Sequence, residues 1–216
     1  MATVKQHDFV ELDYTGTIKE DNSIFDTTQE EVAKEEGVYD KDQEYGPIII
    51  CIGENKMLKA LEAELVGKET GKEYKFEINA EDAFGKKDAR LLQMMPFNKF
   101  RRQNINPVPG LQLNIDGVFG VVKTVSGGRC YVDFNHPLAG KDLVYNVKIK
   151  RIVDDNKEKL KALLGNIHLH DAEIEISEDT AKITSKHDVP KEAQDELNKI
   201  VERTIPTIKN LTFIKK

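Results

Sequence analysis

The sequence of 216 residues predicts an α+β protein built from antiparallel strands, with a small β domain inserted into the main one. Three features predict this arrangement: residues 1–86 read mostly as strand with one short helix, residues 87–132 differ in composition, and a long strand pattern follows. A separate α+β pattern closes the chain. We therefore expect three domains, formed by residues 1–86 with 133–153, residues 87–132, and residues 154–216.

In the first section, DFVELDYTGTI alternates apolar and polar residues, PIIICIG is a short β-branched run, and KEYKFEI alternates again. The intervening NKMLKALEAELVG predicts a helix whose apolar stripe includes Met57, Leu58 and Leu61, with Gly67 placed to end it. The Glu-rich QEEVAKEEGVYDKDQEYG is expected to form a surface bulge.

The inserted section begins with KKDARLLQMMPFNKFRRQNINPVPG, which holds a Met pair and a basic cluster. The following LQLNIDGVFGVVKTVSGGRCYVDFN alternates and contains a GG turn, so it predicts a hairpin. Then HPLAGKDLVYNVKIKRI predicts a turn and a long strand with Leu143, Tyr145, Val147 and Ile149 on one face. The simplest topology returns this strand to the sheet of residues 1–86.

The last section predicts a helix in NKEKLKALLGN, a hairpin in DAEIEISED and TAKITSKH, a helix in VPKEAQDELNKIVERTI and a closing strand in TIKNLTFIKK. Pro190 stands at the first turn of the second helix. A unit of about 60 residues is near the lower size for an independent core. Pairing with a neighbouring domain or with a second copy is therefore expected, and periodicity does not choose between them.

The composition excludes several classes of protein. Charged residues make up 32% and the formal net charge is −6, which argues against binding to the phosphate backbone of nucleic acids. No basic head precedes an apolar segment at the start, and no run approaches the roughly 18 apolar residues of a membrane-spanning helix. We expect a cytoplasmic protein that contacts neither nucleic acid nor membrane.

The cysteines and histidines do not predict a metal centre. Cys51 and Cys130 lie in apolar runs without metal-type spacing, so they are expected to be small buried hydrophobes. His168 and His170 would share one face of a strand, but no third ligand is near in sequence, and a solvated face is the better interpretation. We expect no metal and no cofactor.

Four separated motifs then point to a family: VELDYTGTIKEDNSIFDTT, GPIIICIGENKMLKALEAELVG, INAEDAFG and NHPLAGKDLVYNVKI. In order and spacing they resemble the FKBP-type peptidyl-prolyl cis-trans isomerases, most of all the long archaeal members of the SlyD-like branch. The resemblance covers roughly the first 150 residues. It implies an FKBP-like antiparallel half-barrel sheet wrapped on a short helix, and a chaperone domain, called insert-in-flap, between the AFG and NHPLAGK motifs.

The resemblance also implies a site. Tyr14, Asp26 and Phe84 would be the catalytic residues of a hydrophobic cleft that receives a proline ring. Phe84 stands where many members have Tyr, and loss of that hydroxyl could cost about 1 kcal/mol of binding. Leu61 stands where many have Trp, so we expect activity of altered strength. The substrate-binding positions would be Phe25, Ile48, Ile50, Met57, Leu58, Leu61 and Tyr145.

Taken singly, these residues have simpler interpretations. A Tyr or Phe on a strand face is more often part of a core, and an Asp after Phe is often a strand-end residue. Together with the AFG and NHPLAGK motifs, however, the pattern favours a functional role over these simpler interpretations for Tyr14, Phe25, Asp26 and Phe84. The reaction also needs no nucleophile or metal, because an apolar cleft favours the less polar, twisted amide.

The inserted domain is expected to bind unfolded or partly folded proline-containing polypeptides, because Met-rich apolar surfaces adapt to varied partners. The alternative is that about half of the apolar residues expected on this surface form the domain's own core. At the level of the whole chain, the rivals to an isomerase with chaperone activity are a holdase with weak or no turnover, and a scaffold whose C-terminal domain recruits a partner. The expected chaperone surface consists of Leu91, Leu92, Met94, Met95, Phe97 and Phe100.

Overall fold

The computed structural model describes residues 2–102, 104–115, 117–167, 169 and 171–216. It divides into two compact units: the first runs up to Ile78 and resumes at Leu143–Lys216, and the second is Asn79–Asp142. The second unit is wider than the insert expected at residues 87–132, because it includes the loops on either side. The segment 154–216 lies within the first unit.

The described residues form five α-helices and twelve strands. The helices are α1 (Glu30–Glu35), α2 (Lys59–Leu65), α3 (Phe97–Arg101), α4 (Asn156–Asn166) and α5 (Lys191–Thr204). The strands are β1 (Phe9–Ile18), β2 (Ile24–Thr27), β3 (Ile48–Cys51), β4 (Glu73–Ile78), β5 (Leu92–Pro96), β6 (Gln112–Ile115), β7 (Val118–Ser126), β8 (Arg129–Asp133), β9 (Leu143–Ile152), β10 (Glu173–Ser177), β11 (Thr180–Ser185) and β12 (Asn210–Lys215). This mixed α+β content with mainly antiparallel sheets confirms the predicted class.

The main sheet of the first unit has the order β2-β1-β9-β4, with β3 also paired to β1, and every pair in it is antiparallel. The strand after the insert therefore rejoins the sheet of residues 1–86, as the sequence predicts. Tyr145 of β9 is in register with Gly16 of β1 and Phe76 of β4. Because residues paired across antiparallel strands share a face, this row lies on one side of the sheet.

Helix α2 is shorter than the predicted stripe. It begins at Lys59, with Leu58 as its N-cap, so the prediction that Met57 lies on the helix is wrong. The backbone N–H of Met57 instead donates to the Glu62 carboxylate at 2.9 Å, and this bond holds Met57 in the preceding loop. Leu61 is fully buried, as expected for the apolar stripe.

The C-terminal segment of the first unit combines α4 and α5 with the sheet β10-β11-β12, whose β11 and β12 strands are parallel. All of its predicted elements form. Its core contains Leu160, Leu164 and Ile183, and the same cluster includes Phe9 and Cys51 of the main sheet. The segment thus packs against the face of β1 and β3 that carries Phe9 and Cys51.

The second unit contains a four-stranded sheet of order β5-β8-β7-β6. The predicted hairpin is formed by β7 and β8, and Gly127 and Gly128 adopt φ values of +55° and +73° in its turn. Only glycine reaches this region without steric cost, so the GG pair fixes the turn. The core of the unit consists of Met95, Phe100, Val122, Cys130 and Val132.

Cys51 and Cys130 are buried and free, as expected. Burial, followed by the nearby Glu54, raises the pKa of the Cys51 thiol to about 12, so this thiol stays protonated at neutral pH. His168 and His170 lie outside the described residues. Within the described ranges, no helix has the length and apolarity needed to cross a bilayer.

Candidate active site

Tyr14 and Asp26 come together across the β1–β2 pair. The Tyr14 hydroxyl donates a hydrogen bond of 2.5 Å to Oδ2 of Asp26. The backbone around Tyr14 is fixed by the two threonines that follow Asp26: the Tyr14 N–H donates to the Thr28 hydroxyl at 3.0 Å, and the Thr27 hydroxyl donates to the Tyr14 carbonyl at 3.1 Å. Both threonines are buried. The DTT sequence at residues 26–28 thus supplies the carboxylate and the groups that hold its partner.

The two phenols of this region are kept neutral. Burial, strengthened by the hydrogen bond to Asp26, raises the pKa of Tyr14 well above its ordinary value of 10.0. Burial, with the Asp26 charge nearby, raises the pKa of Tyr145 to about 12. At neutral pH Tyr14 is therefore a fixed hydroxyl dipole, and it directs its proton at a carboxylate.

An aromatic cluster lies beside the pair. The ring of Tyr145 lies 6.0 Å from that of Tyr14 and 5.8 Å from that of Phe25, with the Phe25 contact edge-to-face. Phe25 lies against the backbone of β1, because a Cβ atom added at Gly16 would be 2.6 Å from its Cζ atom. Gly16 therefore makes room for the Phe25 ring. This is the usual reason for a glycine inside a strand where another group approaches closely.

The predicted apolar positions fall into two groups. Leu61, Ile50 and Tyr145 are at most 5% exposed, so they belong to the buried interior. Ile48, Met57 and Leu58 are only partly buried. Ile48 is in register with Leu12 of β1, two residues from Tyr14 on the same face. The structure therefore provides an apolar surface beside the Tyr14–Asp26 pair.

A buried carboxylate organises the loop that leads to Met57. Glu62 is 2% exposed, and its carboxylate accepts hydrogen bonds from the backbone N–H groups of Gly53, Asn55 and Met57 at 2.8, 3.2 and 2.9 Å. Three N–H donors satisfy a charge that would otherwise be costly to bury. We refer to residues 53–57 as the Glu62 loop.

Phe84 lies in the second unit, where its ring stacks on His136 with centroids 4.3 Å apart and planes 3° from parallel. The Gly140 N–H donates to the Gly85 carbonyl at 2.7 Å. The AFG and NHPLAGK loops are thus held together at the base of the second unit. The catalytic role expected of Phe84 remains a prediction.

The residues expected to form the chaperone surface fall into an exposed group and a buried group. Leu91, Leu92 and Met94 are 38%, 46% and 50% exposed, but Met95 and Phe100 are 9% and 3% exposed within the core of the second unit. The placement of these last two on the surface therefore needs correction: alternation along β5 turns Met95 inward where Met94 points outward. Phe97 is partly buried against the same core.

Strand register identifies further exposed apolar residues beside them. Met94 is in register with Tyr131, and Leu92 and Val121 are both in register with Asp133, so these side chains share one side of the sheet. Phe119, two residues before Val121 on β7, lies on the same side. We call the exposed apolar residues of this side the outer face: Leu92, Met94, Phe119 and Tyr131, which are 46%, 50%, 42% and 39% exposed.

Sequence reasoning missed three contributors: Gly16, Glu62 and His136. Gly16 had a detectable signal, because a glycine within an alternating strand indicates a close approach. Glu62 follows Leu58 by four residues and so shares its helical stripe, where a carboxylate is unexpected. The position of His136 against Phe84 gives no pattern in the sequence, because the two residues are 52 positions apart by their numbers.

Comparison with known proteins gives the following similarities. A family model described as FKBP26, IF domain, matches residues 93–138. A short-type peptidyl-prolyl cis-trans isomerase of Methanocaldococcus jannaschii is 32% identical over 149 residues, which cover 69% of this chain and 94% of that protein.

Two bacterial proteins are also similar. A probable FKBP-type 16 kDa peptidyl-prolyl cis-trans isomerase of Pseudomonas fluorescens is 33% identical over 108 residues, 48% of this chain and 71% of that protein. The FKBP-type peptidyl-prolyl cis-trans isomerase SlyD of Escherichia coli (strain K12) is 30% identical over 143 residues, 64% of this chain and 71% of that protein.

Proposed function

This chain belongs to the FKBP-type peptidyl-prolyl cis-trans isomerases, and on that premise we propose that its cleft accelerates proline-limited folding of client proteins. The observation that carries the proposal is the 2.5 Å hydrogen bond between Tyr14 and Asp26 at the edge of an aromatic cluster. A fixed polar pair beside aromatic and apolar side chains suits a substrate whose ring is apolar and whose amide must be oriented.

The barrier to X-Pro isomerisation is roughly 18–20 kcal/mol, because resonance holds the amide planar. Twisting the amide reduces its polarity, so a site that excludes water favours the twisted form over both planar forms. Leu61, Ile50 and Tyr145 are each at most 5% exposed, and we infer that they form a dry floor beneath the bound proline. The reaction requires neither a proton transfer nor a covalent bond to the protein, so Asp26 acts by orienting groups and by its charge.

Isomerisation of a proline tetrapeptide tests the proposal. We expect the full-length chain to accelerate the reaction and a Tyr14→Phe/Asp26→Ala variant to lose most of that acceleration. The matched control is Tyr74→Phe, because Tyr74 is also half-buried and hydrogen-bonded, to the backbone of Glu69, and strand β9 separates it from Tyr14. A turnover rate that equals the uncatalysed rate would remove the proposal and favour the holdase alternative.

The second part of the proposal is that the outer face of the second unit binds unfolded polypeptides. Four large apolar side chains on one side of a single sheet form a surface that soluble proteins seldom leave exposed without a partner. The similarity of residues 93–138 to an FKBP26 IF domain agrees with a separate role for this unit. The partners would be unfolded or partly folded proline-containing chains in the cytoplasm.

A further inference from the structure

An ion pair between a buried carboxylate and a half-exposed guanidinium joins the C-terminal segment to the Glu62 loop. The Glu54 side chain is 5% exposed. Arg203 of α5 donates two hydrogen bonds to its carboxylate, from Nε to Oε1 at 2.8 Å and from Nη2 to Oε2. The His7 imidazole also lies near this carboxylate, with its Nδ1 3.9 Å from Oε1. A carboxylate this buried needs a partner, and a two-donor guanidinium contact both neutralises and orients it.

The loop that carries Glu54 has an unusual backbone. Gly53 and Asn55, on either side of Glu54, have φ values of +95° and +55°, in the region that most side chains avoid. Such a conformation persists only where surrounding contacts hold it. Glu62 holds the loop from the inside through three N–H groups, and Arg203 holds it from the other side through the Glu54 side chain.

The loop leads directly into Met57 and Leu58, two of the positions that the family resemblance assigns to substrate binding. The N–H of Met57 is one of the three groups bound to Glu62, and Leu58 follows as the N-cap of α2. A displacement of the loop therefore moves both of these expected substrate-binding positions.

Helix α5 is a firm anchor for Arg203. Leu197, Val201 and Thr204, on the inward side of the helix, are 3%, 2% and 7% exposed in the core shared with the main sheet. Because Thr204 is adjacent to Arg203, the backbone from which the guanidinium extends is fixed by packing.

We propose that Arg203 is a positioning residue: through Glu54 it lets the C-terminal segment hold the Glu62 loop and so sets the geometry of the cleft wall at Met57 and Leu58. The effect on turnover rests on the proposed isomerase function. The effect on the loop does not.

The experiment compares Arg203→Gln with Arg151→Gln in the full-length chain. Arg151 is a matched control because its side chain is 49% exposed, against 51% for Arg203, and it too links the main sheet to the C-terminal segment, through Glu11 and Glu158. It does not contact the Glu62 loop. Two quantities are measured at a temperature where both variants are folded: amide hydrogen exchange at Gly53, Asn55 and Met57, and kcat/KM for a proline peptide.

We expect Arg203→Gln to speed exchange of these amides by about tenfold and to lower kcat/KM by about three- to tenfold, since small misplacements of a binding wall have effects of this size. Arg151→Gln should change neither quantity. Arg203→Lys should recover part of the loss. In a Glu54→Gln background, Arg203→Gln should have no further effect, because its partner is already neutral.

The proposal would be overturned if the loop amides exchanged at the same rate in Arg203→Gln as in Arg151→Gln. It would also be overturned if the effects of Arg203→Gln and Glu54→Gln on exchange were additive in the double variant. A wild-type chain without turnover would instead remove the proposed function. In that case exchange and peptide affinity, followed by NMR titration, still decide whether Arg203 positions the loop.

Discussion

Phe25 and Gly16 form the tightest fit in the candidate site, because no side chain atom can stand between the Phe25 ring and the β1 backbone. We expect Gly16→Ala to displace the ring, to destabilise the protein by about 1–3 kcal/mol and to weaken proline-peptide binding. Urea unfolding and peptide titration measure the two effects. Phe25→Leu removes the clashing Cζ atom, so the double variant should recover stability relative to Gly16→Ala. Equal stability of Gly16→Ala and wild type would contradict the geometry.

The pKa values of Tyr14 and Tyr145 predict a defined pH dependence of stability. Both are raised by burial above the ordinary 10.0, that of Tyr145 to about 12. Below pH 10 the phenols are protonated in the folded and unfolded states, so their contribution is constant. Above pH 10 the unfolded chain loses protons first, so the free energy of unfolding falls by up to about 1.4 kcal/mol per pH unit for each phenol.

Urea unfolding at pH 8 to 11 tests this dependence. Wild type should lose more stability above pH 10 than Tyr145→Phe does. The pH profile of turnover should contain no transition below pH 10 that is caused by ionisation of Tyr14, so Tyr14→Phe should leave the shape of the profile in that range unchanged. Absorbance titration in which all six tyrosines ionise near pH 10 would contradict the assigned environments.

At this scale the motifs, through the family that they resemble, predict the meeting of Tyr14, Phe25 and Asp26, which lie on the paired strands β1 and β2. They do not predict Glu62 or Arg203. The bonds of these two depend on the path of a loop with two left-handed residues and on the docking of a distant helix. Such contacts are set by tertiary packing, which leaves no periodicity in the sequence.

Among the elements, strand β5 carries the clearest contrast. Met94 is 50% exposed and Met95 is 9% exposed, although they are adjacent. We expect Met94→Ser to weaken binding of an unfolded client while leaving the melting temperature of the protein almost unchanged. Met95→Ser should destabilise the second unit by about 2–5 kcal/mol, because it opens a cavity in a small core.

Client binding is measured by suppression of aggregation of an unfolded protein, and stability by urea unfolding. Tyr131→Ser, across the pair from Met94, should reproduce the Met94 result. Full client binding by a variant that lacks both outer-face side chains would contradict the assignment of the outer face.

Strands and helices are the level at which sequence patterns were most informative. Alternation correctly predicted β1, β4, β9 and the β7–β8 hairpin, because side chains of period two must divide between core and solvent. The predicted start of α2 is wrong because Leu58, with ψ of 129°, is outside the helical range and is the N-cap of the helix.

For the whole molecule, the C-terminal segment covers one face of the main sheet. Removal of residues 154–216 would uncover Phe9, Cys51 and Val153, which are at most 2% exposed. We expect the shortened chain to lose about 3 kcal/mol or more of stability and to aggregate. Phe9→Gln and Cys51→Ser should reduce that aggregation. A shortened chain that is monomeric by sedimentation and as stable as the full chain would contradict this role.

A homodimer through the C-terminal segment stays a proposal. The edge strands β10 and β12 each carry an exposed isoleucine, Ile176 at 36% and Ile214 at 40%. Unpaired edges with apolar side chains favour pairing with a second chain. Sedimentation of the full chain against an Ile176→Lys/Ile214→Lys variant tests it, and a monomeric wild type over a wide concentration range would exclude it.

The central claim is that one chain both turns over proline bonds and holds clients, and proline-limited refolding of a substrate protein tests it most directly. The uncatalysed step takes about 10–100 s at 25 °C, so acceleration is easily resolved. The full chain should increase the refolding rate. Met94→Ser should give a smaller increase, and Tyr14→Phe/Asp26→Ala should give almost none. Refolding that is unaccelerated or retarded by the full chain, with aggregation still suppressed, would contradict the account and identify a holdase.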